Sequence, residues 1–249
     1  MIAVKNAVQI AAMRDAGKIT GEALCMAGEM VRPGITTKEI DTAIRGYITK
    51  CGATPSFLNY NGFPASACIS INDEVIHGIP SAARQLQDGD IVKIDVGAYY
   101  KGYHGDTANT FPVGHVSEEA ERLIRVTRES FYRGIEMIGP GNRLGDLGSA
   151  IDGYVREHGF TAVRQFVGHG IGRDLHEAPD VPNYGTAGRG VRFCAGMVIA
   201  VEPMINAGTH EVRQLNDGWT IKTADGALSA HYEHTLAVTD NGVILLTQV

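Results

Sequence analysis

Gly89-Asp90-Ile91-Val92-Lys93-Ile94-Asp95 and Gly196-Met197-Val198-Ile199-Ala200-Val201-Glu202 stand 107 residues apart, and each is a short β-rich run ending in a carboxylate. The match is not isolated. At the same offset, and without a gap, Glu29-Met30 falls on Glu136-Met137, Pro33-Gly34 on Pro140-Gly141, Ala43-Ile44 on Ala150-Ile151, Gly46-Tyr47 on Gly153-Tyr154, and Gly52 on Gly159. Self-similarity of this length constrains architecture before any single motif does. Each copy reads as an amphipathic helix that stops at Pro-Gly, followed by a second helix from Thr37 or Leu144. The second helix repeats apolar residues at helical spacing: Ile40, Ile44, Tyr47 and Ile48 in one copy, Leu147, Ile151, Tyr154 and Val155 in the other. The expectation is one α+β domain over residues 1–249, in two pseudo-symmetric halves of roughly 10–112 and 118–242, with an acid at the same place in each.

Two hairpins multiply those acids. Asp90–Tyr100 and Tyr103–Phe111 read as strands, with Lys101-Gly102 among the turn residues; if the hairpin turns about Tyr100-Lys101, Asp95 stands opposite Asp106. Asp217-Gly218 is the strongest hairpin signal in the chain, and a turn centred there sets Glu202 opposite Glu233. Facing side chains on an antiparallel pair lie roughly 5 Å apart. Two carboxylates so close take up a proton unless a cation lies between them. Their flanks, Ile94, Val96, Val201, Pro203 and Met204, are apolar and argue for burial rather than a solvated acidic face. A lone histidine on a glycine-rich loop is ordinarily a satisfied core residue. Beside four converging acids, His169 in Gly168-His169-Gly170-Ile171-Gly172 reads as a ligand, with His176 and His77 close candidates. Mixed carboxylate and imidazole donors suit Mn, Fe, Co or Zn, and two such cations sharing carboxylates are a standard arrangement for hydrolysis.

Composition excludes several alternatives. The 22 Lys and Arg against 28 Asp and Glu give a net charge of −6, without a basic run, which argues against a nucleic-acid surface. No stretch approaches the ~20 apolar residues of a membrane span. Cys25, Cys51, Cys68 and Cys194 form no CxxC pair and read as reduced thiols of a cytoplasmic protein.

Asn72-Asp73-Glu74-Val75-Ile76-His77-Gly78-Ile79-Pro80, Lys93-Ile94-Asp95-Val96, Gly105-Asp106-Thr107, Gly168-His169-Gly170-Ile171-Gly172, His176-Glu177-Ala178-Pro179, Ile199-Ala200-Val201-Glu202-Pro203-Met204 and Tyr232-Glu233-His234-Thr235 together resemble the signatures of type I methionine aminopeptidases. The resemblance runs from about Ile10 to Gly242. It implies the pita-bread fold, a curved antiparallel sheet flanked by helices, with two divalent metal ions between the halves. Carried over, Asp95 would grip one metal with both oxygens, Asp106 and Glu233 would bridge, and His169 with Glu202 would complete the other. Glu202 would also relay a proton, His176 would hydrogen-bond the substrate carbonyl, and His77 the scissile amide. Phe57, Tyr60, Phe63, Cys68, Leu175 and Trp219 match the wall of the methionine pocket. Leu175 stands where many relatives carry an aromatic residue, and Phe57 where many carry a small one. The substrates implied are the N-termini of nascent polypeptides, with transient ribosome contact, no stable nucleic-acid partner, no membrane, and a monomer in the cytoplasm.

Two other readings compete. An Xaa-Pro aminopeptidase or prolidase shares the five ligands but usually carries a separate N-terminal domain, whereas this chain begins with the catalytic half. A non-catalytic binding protein on the same scaffold would be expected to have lost ligands, and none is lost.

Overall fold

The computed structural model describes residues 2–249. Among the described residues four α-helices, α1 (Ala7–Met30), α2 (Thr37–Lys50), α3 (Glu118–Ile135) and α4 (Leu144–Glu157), and a short 3-10 turn at Tyr60–Gly62 accompany fifteen strands. The strands of the first part are β1 (Thr54–Pro55), β2 (Ala67–Ile71), β3 (Glu74–Ile76), β4 (Ile91–Tyr100) and β5 (Tyr103–Pro112). Those of the second are β6 (Thr161–Ala162), β7 (Gly168–Gly170), β8 (Glu177–Val181), β9 (Val198–Val201), β10 (Met204–Asn206), β11 (Val212–Gln214), β12 (Ile221–Thr223), β13 (Ser229–His231), β14 (Glu233–Thr239) and β15 (Gly242–Leu245).

The repeat seen in the sequence is present in the backbone. Helices α2 and α4 start and stop 107 residues apart, as do β1 and β6, and β4 and β9 begin at that offset. The isolated bridges Thr36–Gln85 and Arg143–Arg192 obey it too. Local chemistry explains the coincidence. In each copy an acid at the third helical position accepts the N-cap amide, Glu39 from Thr36 at 2.8 Å and Asp146 from Arg143 at 2.7 Å. Gly89 and Gly196 both turn into their strands through left-handed backbone, at φ 93° and 89°, which only glycine adopts without strain.

Strands β1-β4-β5-β14-β9-β7-β8 form one antiparallel sheet, with β2 added on β4 and β15 on β14. This curled sheet is the pita-bread half-barrel. One apolar cluster, including Ile40, Ile44, Ile48, Ile69 and Ile94, joins α1 and α2 to the first half. Another, including Phe131, Leu147, Ile151, Ile199 and Leu236, joins α3 and α4 to the second. Strands from the two halves meet at the β5–β14 seam. There only Glu233–Ala108 and His234–Thr107 are paired, and threonine hydroxyls extend the joint. Thr235 Oγ1 accepts from the Asp106 amide at 3.0 Å and donates to its carbonyl at 2.8 Å. Thr107 donates to the Glu233 carbonyl at 2.6 Å, and Thr110 Oγ1 bonds both the amide and the carbonyl of His231 at 2.8 Å.

The β4–β5 hairpin corrects one expectation. Its turn is Lys101-Gly102, both left-handed (φ 51° and 86°), with Tyr100 opposite Tyr103; this is the two-residue turn that matches strand twist. The pairing is therefore two residues off the expected register: Asp95 faces Ala108, and Asp106 faces Gly97. A slip of two preserves the face of every side chain, so the acids stay on one side as diagonal neighbours. The second ribbon keeps its expected register from end to end. Val201 pairs with His234, Met204 with His231, Val212 with Thr223, and Gln214 with Ile221, closing at Asp217-Gly218. Its ladder breaks after Val201 because Pro203 lacks an amide hydrogen. Strand β10 then leaves the main sheet to pair with β6, and β12 pairs with β3.

Candidate metal centre and substrate cavity

The cluster of acids is two adjacent rows on one face of the sheet. Along the first, Cys68 pairs with Asp95, Asp95 with Ala108, and Ala108 with Glu233; Glu202 follows at the ribbon register. The second, two residues along and so on the same face, runs from Gly97 to Asp106, Thr235, Ala200 and His169. Small residues at Gly97, Ala108 and Ala200 leave room above the sheet for the long side chains between them. A Cβ on Gly97 would meet the Phe57 ring at 2.8 Å, so glycine there lets an aromatic ring lie directly over the strand.

His169 Nε2 lies 3.6 Å from Glu202 Oε1 and 3.9 Å from Asp106 Oδ2. Asp106, His169 and Glu233 each place a donor atom within 4.8 Å of the others. The Nδ1–H of His169 donates to the Gly170 carbonyl at 2.9 Å, which directs the Nε2 lone pair at the acids, as in ligating histidines. Burial pushes His169 down to about 3, with His176 adding to the effect. Burial likewise raises Asp95 to about 7, and lifts Asp106, Glu202 and Glu233 well above the carboxylate range, their mutual repulsion contributing.

Whether a cation fits can be tested on the acids themselves. Asp95 Oδ1, Asp106 Oδ1 and Glu233 Oε1 are buried and have no hydrogen-bond partner. An unpaired buried carboxylate oxygen is costly, and a divalent cation removes that cost. The donor set, four carboxylates and one neutral imidazole, fits a first-row divalent metal.

All the ligand and pocket residues expected from sequence, with His77 and His176, line a single cavity of about 200 Å³. Its apolar end is made by Phe57, Phe63, Cys68 and Leu175, all buried, with Trp219 edge-on to Phe63 at 5.1 Å. Burial raises the Cys68 thiol, so it stands as a neutral wall residue. Tyr60 does more than line the wall: its ring stacks on His176 and its hydroxyl meets His176 Nδ1 at 2.9 Å. The His176 ring lies 4.1 Å from that of His169. His77 adopts left-handed backbone, φ 59°, and its ring is edge-on to Phe166 and Trp219. Burial, then His176, lowers it to about 4.

Two residues beside the site were not anticipated from sequence. Asn61, in left-handed backbone at φ 49°, lines the cavity. His231, 1% exposed, brings Nε2 to 3.8 Å from Glu202 and 3.9 Å from Glu233. Strand alternation was the available signal for His231, since it stands two residues before Glu233.

A half-barrel that gathers buried acids and an imidazole between its halves defines a metal-dependent hydrolase. The model of metallopeptidase family M24 matches residues 11–240, and the chain belongs to that family. Within it, the chain is 56% identical over 249 residues to a methionine aminopeptidase of Clostridium perfringens, covering 100% of both chains. It superposes on the crystal structure of methionine aminopeptidase from Thermotoga maritima with a TM-score of 0.98 at 43% identity, again covering 100% of both. The prolidase from Pyrococcus furiosus is more distant, with a TM-score of 0.78 and 25% identity, and the match covers 65% of that chain.

Proposed function

We infer that the chain hydrolyses the peptide bond after an N-terminal methionine, the activity for which its full-length relatives are named, at a centre of two divalent ions. The observation that carries this reading is a single cavity with an apolar end, walled by Phe57, Phe63, Cys68, Leu175 and Trp219, that leads onto the carboxylate rows. An unbranched thioether side chain fits against Phe57, Phe63 and Trp219, and its backbone then reaches the acids.

Asp95, Asp106, His169, Glu202 and Glu233 would hold the ions. Divalent cations bound there would supply a water of lowered pKa and an electrophile for the carbonyl. Glu202 takes the proton of the attacking water and passes it to the departing amine. His176, its Nδ1 occupied by the Tyr60 hydroxyl, presents Nε2–H to the carbonyl oxygen as charge develops there. His77 contacts the scissile amide from a position fixed by Phe166 and Trp219. The acid cluster also receives the free α-amine of the substrate, which restricts cleavage to the first residue. Manganese, iron, cobalt and zinc all suit these donors, and nascent polypeptides in the cytoplasm are the natural substrates.

Release of free methionine from Met-Ala-Ser tests the assignment. Chelator-stripped protein is expected to be inactive, and Mn- or Co-restored protein active, with an Xaa-Pro peptide left uncut. Cleavage of the Xaa-Pro peptide alone would move the activity to the prolidase branch.

A further inference from the structure

His231 is a buried polar side chain beside the acids that the chemistry above leaves without a task. It lies on β13, pairs with Met204, and so occupies the row beside Glu202 and Glu233 on the same face. Its backbone is held at both polar atoms by Thr110. Its ring is not so held: neither Nδ1 nor Nε2 has a hydrogen-bond partner among the described residues. Buried imidazole nitrogens are ordinarily paired, and two carboxylates lie near Nε2, Glu202 Oε2 at 3.8 Å and Glu233 Oε2 at 3.9 Å.

We propose that His231 is a positioning residue that donates its Nε2–H to the carboxylates of Glu202 and Glu233, setting their orientation toward the two ions. This rests on the dinuclear reading given above. The near-equal distances place the donor between the acids, and a small side-chain rotation of either brings it to hydrogen-bond length. Both acids present an acceptor to Nε2, which selects the tautomer with hydrogen there. The two glutamates come from opposite arms of the ribbon, and the backbone bonds around them, Val201 with His234, Tyr232 N–H to the Pro203 carbonyl at 3.2 Å and Glu233 with Ala108, fix their main chains and leave their carboxylates free to turn. A donor between the two carboxylates adds the side-chain restraint that backbone pairing does not supply. Outer-sphere partners of this kind fix ligand geometry and metal affinity.

The test compares parent, His231→Leu and His231→Gln, each stripped of metal and titrated with Co(II) by calorimetry and by visible absorption. His231→Leu is expected to lose ~10–100-fold in affinity for at least one ion, with altered cobalt bands. His231→Gln, which keeps a donor of similar reach, is expected to restore both. If the leucine variant does not fold, His231→Asn takes its place, because its shorter amide cannot span both acids. Parent-like affinity and spectrum in His231→Leu would overturn the proposal. So would a defect in His231→Gln as large as in His231→Leu, which would make the imidazole itself a ligand. Failure of the parent to bind two cobalt ions is a separate result, and would remove the dinuclear reading instead.

Discussion

The two acid-bearing hairpins do the same job by different construction. Strands β4 and β5 form an unbroken ladder from Ile91–Pro112 to Tyr100–Tyr103, closed by a two-residue turn. Asp95 and Asp106 are locked into it as diagonal neighbours. The ribbon from Val198 to Thr239 holds one register throughout, yet it is cut into segments that join different sheets. Glu202 stands at the first cut, immediately before Pro203. The first hairpin thus supplies rigidity, and the second trades continuity for reach, bending away from the main sheet so that its tip brings Trp219 to the cavity.

If that contrast is right, the two turns respond differently to added length. One glycine inserted between Lys101 and Gly102 should flip Asp106 to the other face of the sheet, eliminating metal binding and methionine release. The same insertion between Asp217 and Gly218 should be absorbed at the breaks and leave metal content intact, as elemental analysis would read. Equal loss at both turns would break the comparison.

His176→Ala comes next in size. Removing one donor to the developing oxyanion should cost ~10²–10³ in turnover while metal content stays at the parent level. A loss confined to KM would assign His176 to binding instead.

Thr235→Val acts on the joint between the hairpins. The hydroxyl serves both the amide and the carbonyl of Asp106 within a buried seam, so its loss should destabilise by ~1–3 kcal/mol, read as a lower denaturation midpoint. No change in midpoint would mean the seam contributes little to holding the halves together.

The smallest effect is one of pH. His77 is held down at about 4 from an ordinary 6.5 by burial and by His176. The unfolded chain then binds the extra proton first, so the contribution of neutral His77 is full above pH 6.5 and fades as pH falls toward 4. Metal-free His77→Gln should lose less melting temperature than metal-free parent between pH 7 and pH 5. Parallel curves would show that His77 is not desolvated in solution.

Much of this arrangement was legible in the residues. The 107-residue offset carried the helix pairs and the placement of Asp95 and Glu202, because capping acids and turn glycines recur with it. The Asp217-Gly218 turn carried the register of the whole ribbon. The β4–β5 register was missed by centring the turn on Tyr100-Lys101, although strands ending at Tyr100 and resuming at Tyr103 already leave Lys101-Gly102 as the two-residue turn. Parity protected the conclusion, since the error was two residues and both acids kept their face. The contact of Tyr60 with His176 joins positions 116 residues apart, and no local pattern announces it. His231 was within reach of strand alternation, but a single histidine carries no motif.

The second hairpin is longer than the first by 20 residues between its acids, Glu202 to Glu233 against Asp95 to Asp106. Most of that surplus is β10 to β13, which pair with one another and with β6 and β3. The added length places Trp219 against Phe63 in the cavity wall, while Phe57, Phe63, Cys68 and Leu175 reach that wall from outside the ribbon. The wall is thus assembled from segments more than 150 residues apart, so refitting it to a different side chain takes changes in the ribbon and in the stretches that carry Phe57, Phe63 and Leu175 together.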